Sequence, residues 1–153
     1  MHTRIVIQTE EFNLAEEISQ AQSYADDIGA LVSFVGLVRG NDQPQNPLSH
    51  LHLTHMPIVT EHEISKIITQ AAQRWSLTYA CVIHRVGELA VGAPIVLVLT
   101  ASSHRHEAYL ANRFIMDFLK TEAPFWKKEY YINGEQRWVD MKQSDQQHTL
   151  SWQ

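Results

Sequence analysis

The chain contains a single cysteine, Cys81, which excludes a disulfide framework and any Cys-x-x-Cys zinc or redox motif. Its longest apolar run, Pro94 to Ala101, is far short of a membrane span. The opening residues MHTRIVIQTEEF have no basic region followed by an apolar one, so a cytoplasmic protein is expected. Neither G-x-G-x-x-G nor G-x-x-x-x-G-K-[ST] occurs; a nucleotide has no local support, and no cofactor is expected. Positive charge is scarce as well. Against 17 Asp and Glu stand 12 Lys and Arg, a net charge of −5, which argues against a nucleic-acid binder.

Metal chemistry is weakly supported. His62-Glu63 and His106-Glu107 each lack the second histidine at i+4 of a zincin helix. His50, His52 and His55 share a short segment, but with nine histidines in the chain such neighbours arise by chance, and no metal is expected. Cys81 lies inside YACVIH, where a thiol packed among apolar side chains is inert.

With 44% hydrophobic residues over 153 positions, the chain suits one domain, 1–153, with a polar, loosely held tail from about Gln143. A chain of this size buries roughly 70% of the surface its unfolded form exposes, without needing a disulfide or metal. The charge is unevenly spread. Residues 1–104 hold 5 Lys and Arg against 10 Asp and Glu, whereas residues 105–142 hold 7 against 6. An acidic body with one locally basic segment suits a pocket for a small anion.

Thr3 to Gln8 alternates as a strand, and Asn13 with Glu16 begins a capped helix. Gly29 to Arg39 is a nearly continuous apolar run that predicts a strand covered on both faces, closed by Arg39-Gly40. Asn41 to Pro47 is a polar, proline-punctuated loop expected to be mobile, and Leu48 to Met56 is a further strand. Thr60 with Glu63 predicts a capping box, ahead of Ile64, Ile67, Ile68, Ala71, Ala72 and Trp75 at helical spacing. Tyr79 to Val86 and Ile95 to Ala101 are strands, with a turn region at Gly87-Glu88 and Val91-Gly92 between them. Ser102-Ser103 is expected to cap a long third helix that ends near Lys120. Asn133-Gly134 marks a hairpin of short strands. Strands outnumber helices and several connections are hairpin-short, which gives an α+β domain with a mixed sheet, not a doubly wound one.

The basic segment is built on Phe114 to Lys128. A helix with Phe114, Ile115, Phe118 and Leu119 on its apolar face reaches Lys120, and the Ala123-Pro124 step then forces the backbone out of helical geometry. Phe125 and Trp126 anchor the following segment, so Lys120 and Lys127 stand on stiff supports. Read singly, Lys120 is a last-turn cation paired with Asp117, and Lys127-Lys128 a solvated pair. At the other end of the same helix, His104-Arg105-His106 meets unpaired backbone N–H groups, an arrangement that binds anions. Arg39 adds a cation at a strand end beside a loop.

Gly36-x-Val38-Arg39, Ile83 to Leu89, Ser103-His104-Arg105, Phe114 to Asp117 with Leu119-Lys120-Thr121, and Ala123 to Lys127 together resemble the large, catalytic subunit family of molybdopterin synthase, MoaE. Arg137-Trp138-Val139 and Ser144 to Gln147 extend the match, which covers roughly Gly29 to Gln147. The resemblance implies an α/β-hammerhead-type domain with a mixed sheet and an additional small antiparallel β subdomain, forming a homodimer. Each protomer would receive the C-terminal Gly-Gly tail of a small ubiquitin-like sulfur-carrier subunit, giving a heterotetramer. The tail's thiocarboxylate sulfur would move to cyclic pyranopterin monophosphate, twice, to form the dithiolene of molybdopterin. By position Lys120 and Lys127 match the family's essential lysines, while Arg39, His104 and Arg105 match its substrate-pocket cations.

Two departures from the family pattern stand out. Thr54-His55-Met56-Pro57-Ile58 replaces an expected Glu-His-Tyr-Pro-Gly, at a strand and turn expected to shape a dimer or partner surface. Lys142 stands where arginine is usual, keeping charge but losing a bidentate fork. A non-catalytic anion-binding scaffold of the same fold would tolerate arginine at positions 120 and 127. A different group-transfer enzyme for a phosphorylated small molecule would not depend on a Gly-Gly-ending partner.

Overall fold

The computed structural model describes residues 1–40, 44–139 and 143–153. Lys142 and positions 41–43 of the polar loop lie outside the described residues. The chain runs β1 (His2–Gln8), α1 (Leu14–Gln22), β2 (Ala30–Leu37), β3 (Leu48–His55), α2 (Val59–Arg74), β4 (Tyr79–Arg85), β5 (Gly87–Ala90), β6 (Pro94–Ser102), α3 (Arg105–Leu119), β7 (Phe125–Tyr131), β8 (Gln136–Trp138) and α4 (Gln143–Leu150).

Two four-stranded sheets organise these elements. The first has the order β1-β4-β6-β2 and is mixed, β1 lying parallel to β4 and the other pairs antiparallel. The second has the order β5-β3-β7-β8 and is wholly antiparallel. The expected mixed sheet with a small antiparallel subdomain is what the chain forms.

The two central strands set the layering. On β4, Ala80 and Val82 face α2 and α3, whereas Tyr79, Cys81 and Ile83 face α1; on β6, Val96 and Val98 face the first side and Leu97, Leu99 and Ala101 the second. Strands covered on both faces read as unbroken apolar runs, as these do. Ile64, Ile67, Ile68 and Ala71 of α2 and Ala111, Phe114, Ile115 and Leu119 of α3 complete one core, and Ala21 with Leu14 and Ile18 of α1 the other. A third cluster, Val38, Leu48, Leu51, Leu53, Leu89 and Tyr131, lies on the inner face of the second sheet.

Four sequence expectations change. The apolar run Gly29 to Arg39 predicts a strand covered on both faces, yet β2 is an edge strand with Phe34 and Leu37 exposed; an apolar run does not distinguish a central strand from an edge that borders a cleft. Gly87–Ala90 is a strand and not a turn, because pairing with His50 to Leu53 gives even four residues a ladder. The helix caps also shift. Thr60 lies inside α2, its hydroxyl accepting from Met56 N–H at 3.0 Å and donating to the Pro124 carbonyl at 3.0 Å. Ser102 stays in β6 and donates to the Ser76 carbonyl at 2.7 Å, leaving His104 as the N-cap of α3.

The fourth change concerns the tail. The segment from Gln143 forms α4 and is tied down: the Thr149 hydroxyl lies 2.9 Å from the Thr121 hydroxyl, and Trp152 packs edge-on against Trp75 and Phe114. The Trp152 indole N–H donates to Asp117 Oδ2 at 2.7 Å, and Arg113 lies 3.8 Å from the same oxygen. Asp117 is therefore committed to the tail rather than to Lys120.

Ile58, at the entry to α2, has φ +73° and ψ −50°, a region that costs a β-branched residue a few kcal/mol and glycine little. Its side chain is 81% exposed, so burial does not compensate. Ile58→Gly relieves that strain while adding about 1 kcal/mol of unfolded-state entropy. The net expectation is a gain of about 1 kcal/mol and a rise of about 3 °C in Tm, read by thermal and urea unfolding.

Candidate active site

Where the two sheets meet, a cleft of about 570 Å³ opens between β2, β4, β7 and the end of α3. Apolar side chains, including Phe34, Leu53, Val96, Met116 and Phe125, line it together with Arg39, His84, Lys120, Thr121, Lys127, Glu129 and Asp145. A concave recess of apolar wall and convergent polar groups fits a small-molecule site.

Each cation arrives by a local device. At Gly36 an added Cβ would lie 2.8 Å from Val96 Cγ1, so only glycine lets β2 approach β6 this closely. A register shift follows between Gly36 and Leu37, after which buried Val38 is pinned by its N–H to the Ala93 carbonyl at 2.9 Å. Arg39 is thereby placed at the rim. Lys120 is the C-cap of α3, followed by a tight turn in which the Glu122 N–H donates to the Phe118 carbonyl at 2.7 Å before Pro124 ends helical geometry. Among the described residues no carboxylate lies within 4 Å of its ammonium.

Strand alternation separates the two neighbouring lysines. Lys127 pairs with Leu53 of β3 and lines the cleft with Glu129. Lys128 stands over the rings of Tyr130 and Trp138 at 5.6 and 5.3 Å, held by cation–π attraction. The two are not a solvated pair.

Of the five expected site residues, the cleft gathers Arg39, Lys120 and Lys127. His104 and Arg105 are exposed at the opposite end of α3, about 22 Å from Lys120 at 1.5 Å per residue. They do not line the cleft of their own chain.

The cleft also contains His84, which sequence reasoning did not single out as a site residue. Phe125 stacks on it with centroids 3.8 Å apart, and its Nδ1 lies 2.8 Å from the Arg85 carbonyl oxygen. Burial, reinforced by the charges of Lys120, Lys127 and His55, pushes its pKa down to about 4. The only sequence signal was its place in the Ile83 to Leu89 motif. Arg85 of that motif is structural: its buried guanidinium donates to the Thr9 and Pro94 carbonyls and ties β1 to β6.

Cys81 is fully buried, and burial, with Glu17 nearby, pushes its thiol up to about 12. Among the described residues no group of three His, Cys, Asp or Glu is placed to hold a metal ion.

Three convergent cations in a recess of an acidic chain give the cleft the character of a small-anion site. The family profile described as MoaE protein matches residues 7–122. A molybdopterin synthase catalytic subunit from Vibrio cholerae is 42% identical over 153 residues, covering all of both chains. The solved structure of a molybdopterin biosynthesis MoaE protein from Burkholderia ambifaria superposes with a TM-score of 0.83 at 41% identity, covering 98% of this chain and 97% of that one. A complex of subunits 1 and 2 of a molybdopterin-converting factor from Helicobacter pylori includes a chain with a TM-score of 0.69 and 19% identity, over 92% of this chain and 90% of that one, a likeness of fold. The chain belongs to the MoaE family, whose members are the catalytic subunits of molybdopterin synthase.

Two outcomes are expected. Cys81 will resist alkylation by iodoacetamide at pH 8 in the native protein and react within minutes in denaturant, as read by mass spectrometry. His84 has a folded pKa of about 4 against 6.5 for the free side chain, so between these values the unfolded chain binds more protons. Stability is then present above about pH 6.5 and lost as pH falls toward 4, and His84→Phe will flatten that slope in urea titrations across the range.

Proposed function

We propose that this chain transfers sulfur from the C-terminal thiocarboxylate of a small ubiquitin-like carrier protein to cyclic pyranopterin monophosphate, in two rounds that build the dithiolene of molybdopterin. The observation that carries this reading is the convergence of Arg39, Lys120 and Lys127 on one cleft of an otherwise acidic chain. Both substrates are anions, and cations in a partly apolar recess bind them through charge-assisted hydrogen bonds stronger than those in open water.

In this reading Lys120 meets the thiocarboxylate and handles protons or a transient acyl bond, consistent with its having no carboxylate within 4 Å among the described residues. Lys127, on the facing strand, orients or protonates the pterin. Arg39 at the rim holds phosphate, and a Gly-Gly tail is slim enough to pass between apolar walls such as Phe34 and Met116. His104 and Arg105 serve the site from a second copy of the chain, since within one chain α3 holds them about 22 Å away. The assembly is a homodimer that binds two carriers. Among the described residues no helix is long and apolar enough to cross a membrane, and we place the reaction in the cytoplasm.

The test is reconstitution of the chain with thiocarboxylated carrier and the pterin precursor. Lys120→Ala and Lys120→Arg should each lower molybdopterin formation by about 100-fold or more, because a guanidinium keeps charge but does not exchange protons near neutral pH. Near-normal activity of Lys120→Arg would reduce Lys120 to a charge-only role, and no activity of the parental chain would favour the non-catalytic scaffold. In mixed dimers, Lys120→Ala and Arg105→Ala chains should complement, restoring about a quarter to a half of parental activity where either homodimer has little, since one cleft of each mixed dimer is intact.

A further inference from the structure

The turn that carries Lys120 is completed by a helix far away in the sequence. A helix leaves its last carbonyls without intrahelical donors, and that of Asp117, three residues before Lys120, is one of them: the Thr121 N–H donates to the Phe118 carbonyl at 3.2 Å instead of reaching it. The Thr149 hydroxyl of α4 donates to the Asp117 carbonyl at 3.2 Å and shares its hydrogen with the Asp145 carbonyl at 3.1 Å. Carbonyl oxygens only accept, so in the remaining contact, 2.9 Å between the Thr149 and Thr121 hydroxyls, Thr121 is the donor. One buried hydroxyl thus holds the chain on both sides of Lys120.

Trp152 secures the same turn from a second direction. Its indole N–H donates to Asp117 Oδ2 at 2.7 Å, its ring stands edge-on to Trp75 and Phe114, and the guanidinium groups of Arg74 and Arg113 lie 5.9 and 5.6 Å from its centroid. Arg74 also donates to the Trp152 carbonyl. The sequence of α4, QSDQQHTL, has no apolar stripe, and its one large apolar residue, Leu150, is exposed. The helix is therefore held by the Thr149 hydroxyl and by Trp152 beyond its end, not by burial of an apolar face. Asp145, one turn before Thr149, lines the cleft, so α4 is part of the wall that surrounds Lys120.

We propose that Thr149 is a positioning residue for Lys120: by joining the Asp117 carbonyl to the Thr121 hydroxyl it fixes the turn from which the lysine leaves α3, and with it the place of the ammonium in the cleft. The inference rests on the function proposed above, in which Lys120 meets the thiocarboxylate. Lys120 is the C-cap of α3, where helices fray, and its four-carbon stem is flexible. Group transfer needs reacting atoms about 3–3.5 Å apart, and a misplacement of about 1 Å costs about 100-fold in rate. Thr149 is uncharged, so it orders the turn without offsetting the positive charge that an anionic substrate meets.

The test has an arm that does not depend on activity. Thr149→Val keeps the side chain's shape and removes the hydroxyl. In hydrogen–deuterium exchange of the full chain followed by NMR, it should speed exchange of the Thr121 and Glu122 amides by about tenfold or more and leave those of β4 unchanged, while Thr149→Ser stays within about threefold of the parental chain. In the reconstituted assay Thr149→Val should lower kcat about 10-fold with KM changed less than about threefold, and Thr149→Ser should keep at least about half of parental kcat. Trp152→Phe, which keeps an aromatic ring and removes the donor to Asp117, should speed the same two amides and lower kcat in the same sense; it replaces Thr149→Val if that chain does not fold. Unchanged exchange at Thr121 and Glu122, an equal acceleration along β4, a parental kcat for Thr149→Val, or a Thr149→Ser chain no better than Thr149→Val would each overturn the proposal. If the parental chain transfers no sulfur at all, the proposed function fails, and the exchange arm still decides whether α4 holds the turn.

Discussion

Covering β4 and β6 on both faces is the constraint from which the rest of the structure follows. Ala80, Val82, Val96 and Val98 face the two long helices, and Tyr79, Cys81, Ile83, Leu97, Leu99 and Ala101 face α1, so neither strand has room along its length for a solvated polar group. Burying a polar side chain without a partner costs a few kcal/mol, which confines such groups to the strand ends. His84 and Arg85 are the last two residues of β4, and they are handled in opposite ways. Arg85 spends its donors on carbonyls of neighbouring strands, whereas His84 contacts the Arg85 carbonyl through Nδ1 and lines the cleft. The candidate site lies at this end because polar atoms are tolerated there.

The second sheet supplies the opposite wall, and its period of two sorts its residues. Lys127, Glu129 and Tyr131 turn inward toward the cleft and the cluster around Leu51 and Leu53; Trp126, Lys128 and Tyr130 turn outward, where Lys128 rests over aromatic rings. One residue of register slip would exchange the two lysines. The register is pinned by the hydrogen bond from the Val139 N–H to the Lys127 carbonyl and by the Thr60 hydroxyl on the Pro124 carbonyl, so a helix distant in sequence takes part in presenting Lys127.

Much of this was legible from residues alone, and the failures have a common physical cause. The Ala123-Pro124 step dictates a helix end whatever surrounds it, and the apolar runs at β4 and β6 admit only burial, so these elements were readable locally. The Asn13 cap was also correct, its side chain accepting from Glu16 N–H at 3.1 Å. Thr60 and Ser102 carry the same local signal, but their hydroxyls serve partners distant in the chain or the strand ladder, and no local rule anticipates that. The edge position of β2, the four-residue β5 and the docking of α4 through Trp152 likewise depend on contacts between segments far apart. The convergence of Arg39, Lys120 and Lys127 was suggested by residue type and resemblance. The value of His84 was hidden, because one histidine among nine has nothing to mark it until Phe125 and two ammonium groups are seen around it.

Helix α3 carries Lys120 at one extremity and His104 with Arg105 at the other, with a buried, tightly packed face between them. In the proposed two-fold assembly every such helix is a rod shared by two reaction centres, its tail end serving its own and its head serving its neighbour's.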